Sequence, residues 1–353
     1  EMKERNLLVK PEMGVNISMT FGGDSLFFDA TNPEARKFVW EKCKKNYYDH
    51  GIRIFWLDEA EPEFGVYDFE NYRYHMGPNV QVGNIYPQMY SRTFYEGMEK
   101  QGQKNIVNLV RCAWAGSQRY GALVWSGDVH STYEDLRKQI CAGLHMGLAG
   151  IPWWTTDIGG FAGGNPKDER FRKLLVRWFE YGTFCPVMRL HGDRMPASML
   201  PGSDGLPNCH TGVENEVWSF GETVYKILKK YISFRECMRD YTREFMKEAH
   251  IKGSPVMRTM FYEFPDDEKA WDVKEQYMYG SDLLIAPMVY EDAEWRKVYL
   301  PKGARWTDLH TGEIFEGGQE ILTDAPLEKI PVFIRDGRHP EFIGKILNMH
   351  DKP

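Results

Sequence analysis

The sequence has no apolar run of the length a membrane span requires. It has no internal repeat and no low-complexity tract, which excludes solenoid and fibrous architectures. It also lacks a basic surplus: the formal net charge is −7 and the pI is near 5.9, which argues against nucleic acid or an anionic membrane as partner. Cysteine is sparse, with Cys43, Cys112, Cys141, Cys185, Cys209 and Cys237 the only six. None forms a C-x-x-C pair and none stands at zinc-ligand spacing from a histidine, so the set reads as reduced core thiols with no metal. That usage favours a cytoplasmic location. The start, Glu1-Met2-Lys3-Glu4-Arg5, has no signal-peptide character, but position 1 is not an initiator Met, which leaves an upstream signal open. The glycine-rich run Gly159-Gly160-Phe161-Ala162-Gly163-Gly164 lacks the Lys-Ser/Thr end of a phosphate loop and reads as a flexible loop. Asn16-Ile17-Ser18 matches a glycosylation sequon, a pattern that recurs by chance.

What remains is a chain of 353 residues, 42% hydrophobic and 27% charged, ordinary for a globular protein and long enough for two domains. Asn32-Pro33-Glu34 is a helix start, with Ala35, Phe38, Val39, Cys43 and Tyr47 at helical spacing and Gly51 as the stop. An apolar strand over 52–57 then ends abruptly in Asp58-Glu59-Ala60-Glu61. The pattern recurs. A strand over 105–110 ends at Arg111, and one over 122–125 leads to Asp128. Residues 150–154 lead to Asp157, and 185–188 lead to Arg189 and His191. Helical patterns separate these strands, including one with Leu136, Ile140, Leu144 and Leu148 on one face and one near 171–181. Apolar strands alternating with helices predict a parallel sheet. A (β/α)8 barrel places its active site at the strand C-terminal ends; a doubly wound sheet, the alternative, also places ligands there. A single long helix is expected over 221–250. Beyond it, short strands over 255–264, 283–289, 297–300, 305–309 and 331–335, divided by turn signals, predict a small all-β domain. The expected domains are residues 1–253 and 254–353.

Two carboxylates attract attention first. Asp58 and Asp128 each follow an apolar strand and lie close in sequence to a tryptophan, Trp56 or Trp125. Glycoside hydrolysis needs two carboxyl groups flanking one bond, roughly 5–5.5 Å apart in retaining enzymes. Taken singly, each aspartate is more simply a loop or cap residue. Arg111 can favour the ionised form of Asp58, and burial beside Trp125 would raise the pKa of Asp128 toward the range a general acid needs. Arg111, Asp157, Arg189 and His191 offer the donors and acceptors a sugar pocket uses, although each also fits a structural ion pair or, for His191, a satisfied core histidine. The 11 Trp and 19 Tyr can stack on sugar rings, though most aromatic residues serve a core.

Four segments, in order, carry a resemblance. FWLDEAEP (55–62) resembles the nucleophile signature of glycoside hydrolase family 31, and RCAWAGSQRYGALVWSGD (111–128) resembles its acid/base region. WWTTDIGGF (153–161) and RWFEYGTFCPVMRLHG (177–192) are similar to two later signatures. The resemblance extends through the C-terminal β-region to Ile330-Pro331-Val332-Phe333-Ile334-Arg335. It implies a (β/α)8 TIM barrel, partial here and holding strands 4–8, followed by a small all-β domain. It implies Asp58 as nucleophile and Asp128 as general acid/base. Arg111, Trp125, Asp157, Phe161 and His191 would line the sugar subsite, with Trp56 and Glu61 supporting the nucleophile strand and Arg189 bracing His191. No cofactor is implied, and the implied partner is an α-linked oligosaccharide, with self-association left open.

Relative to the family pattern, the chain reads as beginning after the third barrel strand, so about five of eight strands would remain and the sheet would have open edges. The family's first-strand sugar-binding aspartate and its distal C-terminal domain would be absent, and the isolated chain is expected to be inactive unless complemented. The WWTTDIGGF and CPVMRLHG segments resemble the α-xylosidase branch, implying exo-acting release of α-xylose. The alternatives are an α-glucosidase or α-glucosyltransferase of the same family and a non-catalytic carbohydrate-binding paralogue.

Overall fold

The computed structural model describes all residues except 15, 16, 18, 21–23, 62–68, 197, 202–206 and 348–353. Asn16 and Ser18 of the sequon, and Pro62, lie outside the described residues. The chain forms two compact units, Glu1–Trp125 and Ser126–Pro353.

In the first unit, helix α1 (Pro33–Asn46) starts where Asn32 accepts a hydrogen bond from the Glu34 N–H at 2.9 Å and Pro33 sets the first helical φ. Gly51, at φ 97°, provides the left-handed exit that a side chain would resist. Strands β1 (Phe55–Leu57), β2 (Asn108–Val110) and β3 (Ala122–Val124) form a parallel sheet in sequence order. Phe55 pairs with Asn108, and Asn108 with Ala122. Helix α2 (Tyr86–Lys100) crosses from β1 to β2. The ring of Trp40, on α1, meets Phe55 edge-on at 6.2 Å and Phe94 at 6.3 Å, tying both helices to the sheet. Gly97 permits that approach, because a Cβ there would lie 2.1 Å from the indole.

The second unit begins with α3 (Tyr133–Leu148), capped by Thr132, and α4 (Glu169–Thr183), capped by Asp168. The strands expected over 150–154 and 185–188 do not form. The Val187 N–H bonds Trp154 O at 3.1 Å and Ile158 bridges Leu190, but no ladder develops. Pro152 and Pro186 remove the donors a ladder would need. The single helix expected over 221–250 is two, α5 (Glu222–Cys237) and α6 (Arg239–Lys252). Met238, fully buried at φ −84°, ψ 6°, turns the chain between them, so that Phe234 and Tyr241 on either side are also buried.

The β-region contains strands β4 (Met257–Arg258), β5 (Tyr277–Tyr279), β6 (Leu283–Ile285), β7 (Trp295–Leu300), β8 (Arg305–Asp308), β9 (Ile314–Glu316), β10 (Gln319–Asp324) and β11 (Val332–Arg335). Six form one sheet in the order β4-β5-β6-β11-β8-β9, every pair antiparallel, and β7 pairs with β10 along six residues. The strand expected over 255–264 shrinks to β4, because a helical turn at Met260–Glu263 carries Met260 and Phe264 into the core with Met278, Leu284 and Trp306. Polar anchors join α4 and α5 to this region. Arg177 donates to Ala325 O at 2.7 Å and Pro326 O at 3.0 Å, and Lys230 donates to Glu328 O at 2.5 Å. Of the described cysteines, Cys43, Cys112, Cys141, Cys185 and Cys237 are all free thiols, as expected; Cys185 is fully buried and the other four are partly buried. Among the described residues, no helix is long and apolar enough to cross a membrane.

Candidate active site

In the first unit, the C-terminal ends of β1 and β2 carry the acidic candidates. Asp58 follows β1 directly and its side chain is 51% exposed. The next residue, Glu59, adopts φ 52°, a left-handed conformation costly for a side chain, and its N–H donates to Asp58 Oδ1 at 2.9 Å. Strain of this kind collects where a carboxylate must be aimed. Arg111 follows β2, and parallel pairing of the two strands brings it level with Asp58. Its side chain is 11% exposed and meets three carboxylates: Glu61 Oε1 from Nε at 2.5 Å, Glu59 Oε2 from Nη2 at 3.0 Å and Asp58 Oδ1 from Nη1 at 3.5 Å. Of these three, Asp58 is the most distant from the arginine expected to serve it. Burial works against the Arg111 charge, but the Glu61 hydrogen bond and the three negative charges outweigh it and hold its pKa above the ordinary arginine value. Trp56 and Trp125 meet edge to face at 5.7 Å, Trp125 buried and Trp56 half exposed.

The second unit supplies the remaining candidates. Asp128 is exposed, so the burial that the sequence reading assigns to it does not come with its position. Trp125 is instead buried against Trp56. Three segments carry the other side chains. The Phe161 and Ala162 N–H groups donate to Val129 O at 2.7 and 2.9 Å, Ser131 N–H donates to Ala162 O at 3.0 Å, and Asp193 N–H donates to Phe161 O at 2.9 Å. This lacing aligns 128–131 with 157–162 and 189–193, and so gathers Asp128, Asp157, Phe161, Arg189 and His191 on adjoining segments. The Asp157 side chain is fully buried and pairs with Arg189. Burial pulls the Arg189 pKa down and the Asp157 charge opposes it. The Phe161 and His191 rings stack at 5.6 Å. Beneath Asp157, Ser126 Oγ accepts from its N–H at 3.3 Å, and Thr156 Oγ1 accepts from Trp178 Nε1 at 3.2 Å. A stacked ring pair beside a buried carboxylate–arginine pair suits a polar, ring-shaped ligand.

One residue was passed over. Arg194 lies fully buried under the glycine-rich loop and donates to its carbonyl oxygens. An arginine in Gly192-Asp193-Arg194 reads as a surface turn. The signal that could have found it is the excess of glycines nearby, more than a hinge needs, which marks a close approach.

Residues 1–244 match the glycosyl hydrolases family 31 TIM-barrel domain, and residues 253–338 match the glycosyl hydrolase family 31 C-terminal domain. An uncharacterized family 31 glucosidase of Pseudescherichia vulneris is 60% identical over 56% of this chain and 37% of its own length. An α-xylosidase of Saccharolobus solfataricus is 35% identical over 91% of this chain and 42% of its own. The crystal structure of a GH31 α-xylosidase from a soil metagenome, complexed with xylose, superposes with a TM-score of 0.93 at 58% identity, covering 97% of this chain and 51% of that one. The chain therefore spans about half, or less, of the length of these relatives. With both of its regions matched in sequence order, a TIM-barrel domain followed by an all-β C-terminal domain, the chain belongs to glycoside hydrolase family 31.

Proposed function

We propose that this chain carries the catalytic carboxylates of a retaining, exo-acting α-glycoside hydrolase that releases α-xylose. The observation that carries the reading is an exposed aspartate at the C-terminal end of a parallel strand, gripped by an arginine from the end of the neighbouring strand. In this reading an Asp58 carboxylate oxygen attacks the anomeric carbon as the glycosidic C–O bond breaks, and the leaving oxygen takes a proton from Asp128. Water then attacks the glycosyl ester, giving its proton to Asp128 and releasing Asp58, so the anomeric configuration is retained after two inversions. Arg111 offsets the charge of the carboxylates around the nucleophile. Asp157, Phe161, Arg189 and His191 bind the sugar.

The α-xylosidases among the relatives support xylose as the sugar, while the relative named a glucosidase favours a second reading, α-glucoside hydrolysis. The test is to offer aryl α-xyloside, α-glucoside and α-galactoside to the full-length protein and to follow the first-formed anomer by proton NMR. Fastest turnover of the xyloside with α-xylose formed first is expected. A preference for the glucoside selects the second reading, and β-xylose as first product contradicts a retaining mechanism.

A further inference from the structure

An active-site wall has to hold its side chains to within about 0.5 Å, yet the loop bearing Asp157 and Phe161 contains Gly159, Gly160, Gly163 and Gly164, all in left-handed conformations at φ 93°, 78°, 86° and 81°. Such a sequence has little intrinsic preference for one shape. We propose that Arg194 is a positioning residue for the sugar-binding wall: its guanidinium is the template on which residues 158–163 and the His191 segment are shaped. The inference rests on the glycosidase reading above.

The geometry is that of a cation enclosed by backbone. Arg194 Nη1 donates to Gly160 O at 2.7 Å and Gly163 O at 3.3 Å. Nη2 donates to Ile158 O at 3.0 Å and His191 O at 3.3 Å, and Nε donates to Asn215 Oδ1 at 2.7 Å. Nη1 also lies 3.4 Å from Ser131 Oγ and 3.5 Å from Gly159 O, so seven acceptors surround the five donors of the fixed fork that only arginine offers. Ile158 adjoins Asp157, and Gly160 adjoins Phe161. His191 O belongs to the residue whose ring stacks on Phe161. One side chain therefore sets the spacing between the segments that carry the sugar-facing groups. Among the described residues, none of its hydrogen bonds goes to a carboxylate, and burial pushes its pKa down to about 10, with the charges of Asp157 and Asp193 opposing. Carbonyl dipoles do the balancing.

The surrounding glycines fit the same account. A Cβ at Gly159 would stand 2.8 Å from Arg194 Nη2, and one at Gly192 would stand 2.6 Å from Cζ. Both positions are open because the guanidinium fills the space. On its outer side the ring of Phe171, from α4, lies 4.8 Å from Cζ.

The experiment uses the full-length protein with R194K and R194M, hydrogen exchange read by mass spectrometry, and KM and kcat for an aryl α-xyloside. Lysine keeps the charge but supplies three donors without the planar fork. In R194K the amides of 157–164 and 189–193 should exchange about tenfold faster or more while α4 and the β-region keep wild-type rates. KM should rise about tenfold, with kcat changed less than about threefold, the pattern of lost substrate positioning rather than lost chemistry. R194M should extend both effects where it folds. Unchanged exchange in these segments, or faster exchange spread through the whole unit with KM unaltered, overturns the proposal. Lack of wild-type turnover on every α-glycoside overturns the function reading instead, and the exchange data still report whether Arg194 holds the loop.

Discussion

Arg111 and Arg194 are both largely buried arginines, one in each unit, and they hold their charge in opposite ways. Arg111 is surrounded by the carboxylates of Asp58, Glu59 and Glu61, and those charges outweigh burial to keep its pKa above the ordinary value. Arg194 is surrounded by carbonyl oxygens, and burial prevails, bringing it down to about 10. Side-chain carboxylates are ionisable, so an arginine among them sets their charge balance. Backbone carbonyls belong to the fold, so an arginine among them shapes a loop. Under the proposed function, the contrast assigns the first residue to chemistry and the second to architecture.

Substitutions can break that assignment. The largest effect is expected at the proposed nucleophile: Asp58→Ala in the full-length protein should lower kcat by at least about 10³-fold with the melting temperature nearly unchanged, measured by steady-state kinetics and calorimetry. Next comes Arg194→Met, which strands seven acceptors, among them the buried carbonyls of Ile158, Gly159 and Gly160. It should cost about 3 kcal/mol or more of stability in denaturant titration, since each buried acceptor left unpaired costs about 1–3 kcal/mol. Arg111→Met should invert the pattern, losing about 10²-fold in kcat/KM while costing less stability than Arg194→Met, since one of its carboxylate partners, Asp58, is half exposed. Equal stability losses at the two arginines would dissolve the distinction.

The smallest effect sharpens it with a third buried charge. Glu180, on α4, accepts from Tyr231 Oη at 2.9 Å and Arg177 Nη1 at 3.2 Å, yet burial prevails and raises its pKa from 4.5 to about 7. An acid whose folded pKa exceeds its unfolded value binds more protons when folded. Its contribution to stability is therefore greatest below about pH 4.5 and is lost as pH rises toward 7. Glu180→Gln should remove that component, so the melting temperature of the variant should fall less steeply than the wild type between those values. Identical slopes would show that Glu180 stays charged.

How much of this was legible in the sequence depended on whether a signal was local. Helix α1 was readable because Asn32, Pro33 and Gly51 each act on their own neighbours. The ends of β1, β2 and β3 were readable because an apolar run stopping at a charge is a local event, and the same rule found Asp157, Arg189 and His191, which the structure brings together on adjoining segments. Errors arose where a local pattern had to compete with tertiary packing. Residues 150–154 and 185–188 have strand composition, but Pro152 and Pro186 deny them a ladder. Residues 221–250 have unbroken helical periodicity, and nothing local announces that burying Met238 is worth a turn. Strands β5, β9 and β10 carry too few residues or too mixed a pattern to stand out, and their register comes from their neighbours. Arg194 was invisible for the same reason, since its acceptors lie up to 63 residues away in the chain.

The central claim, that Asp58 becomes covalently bonded to the sugar, can be tested by treating the full-length protein with 5-fluoro-α-xylosyl fluoride and mapping the adduct by peptide mass spectrometry. The expected result is one fluoroxylosyl ester, on the peptide containing Asp58, formed as activity disappears and absent in Asp58→Ala. Inactivation with the ester on another residue would contradict the assignment.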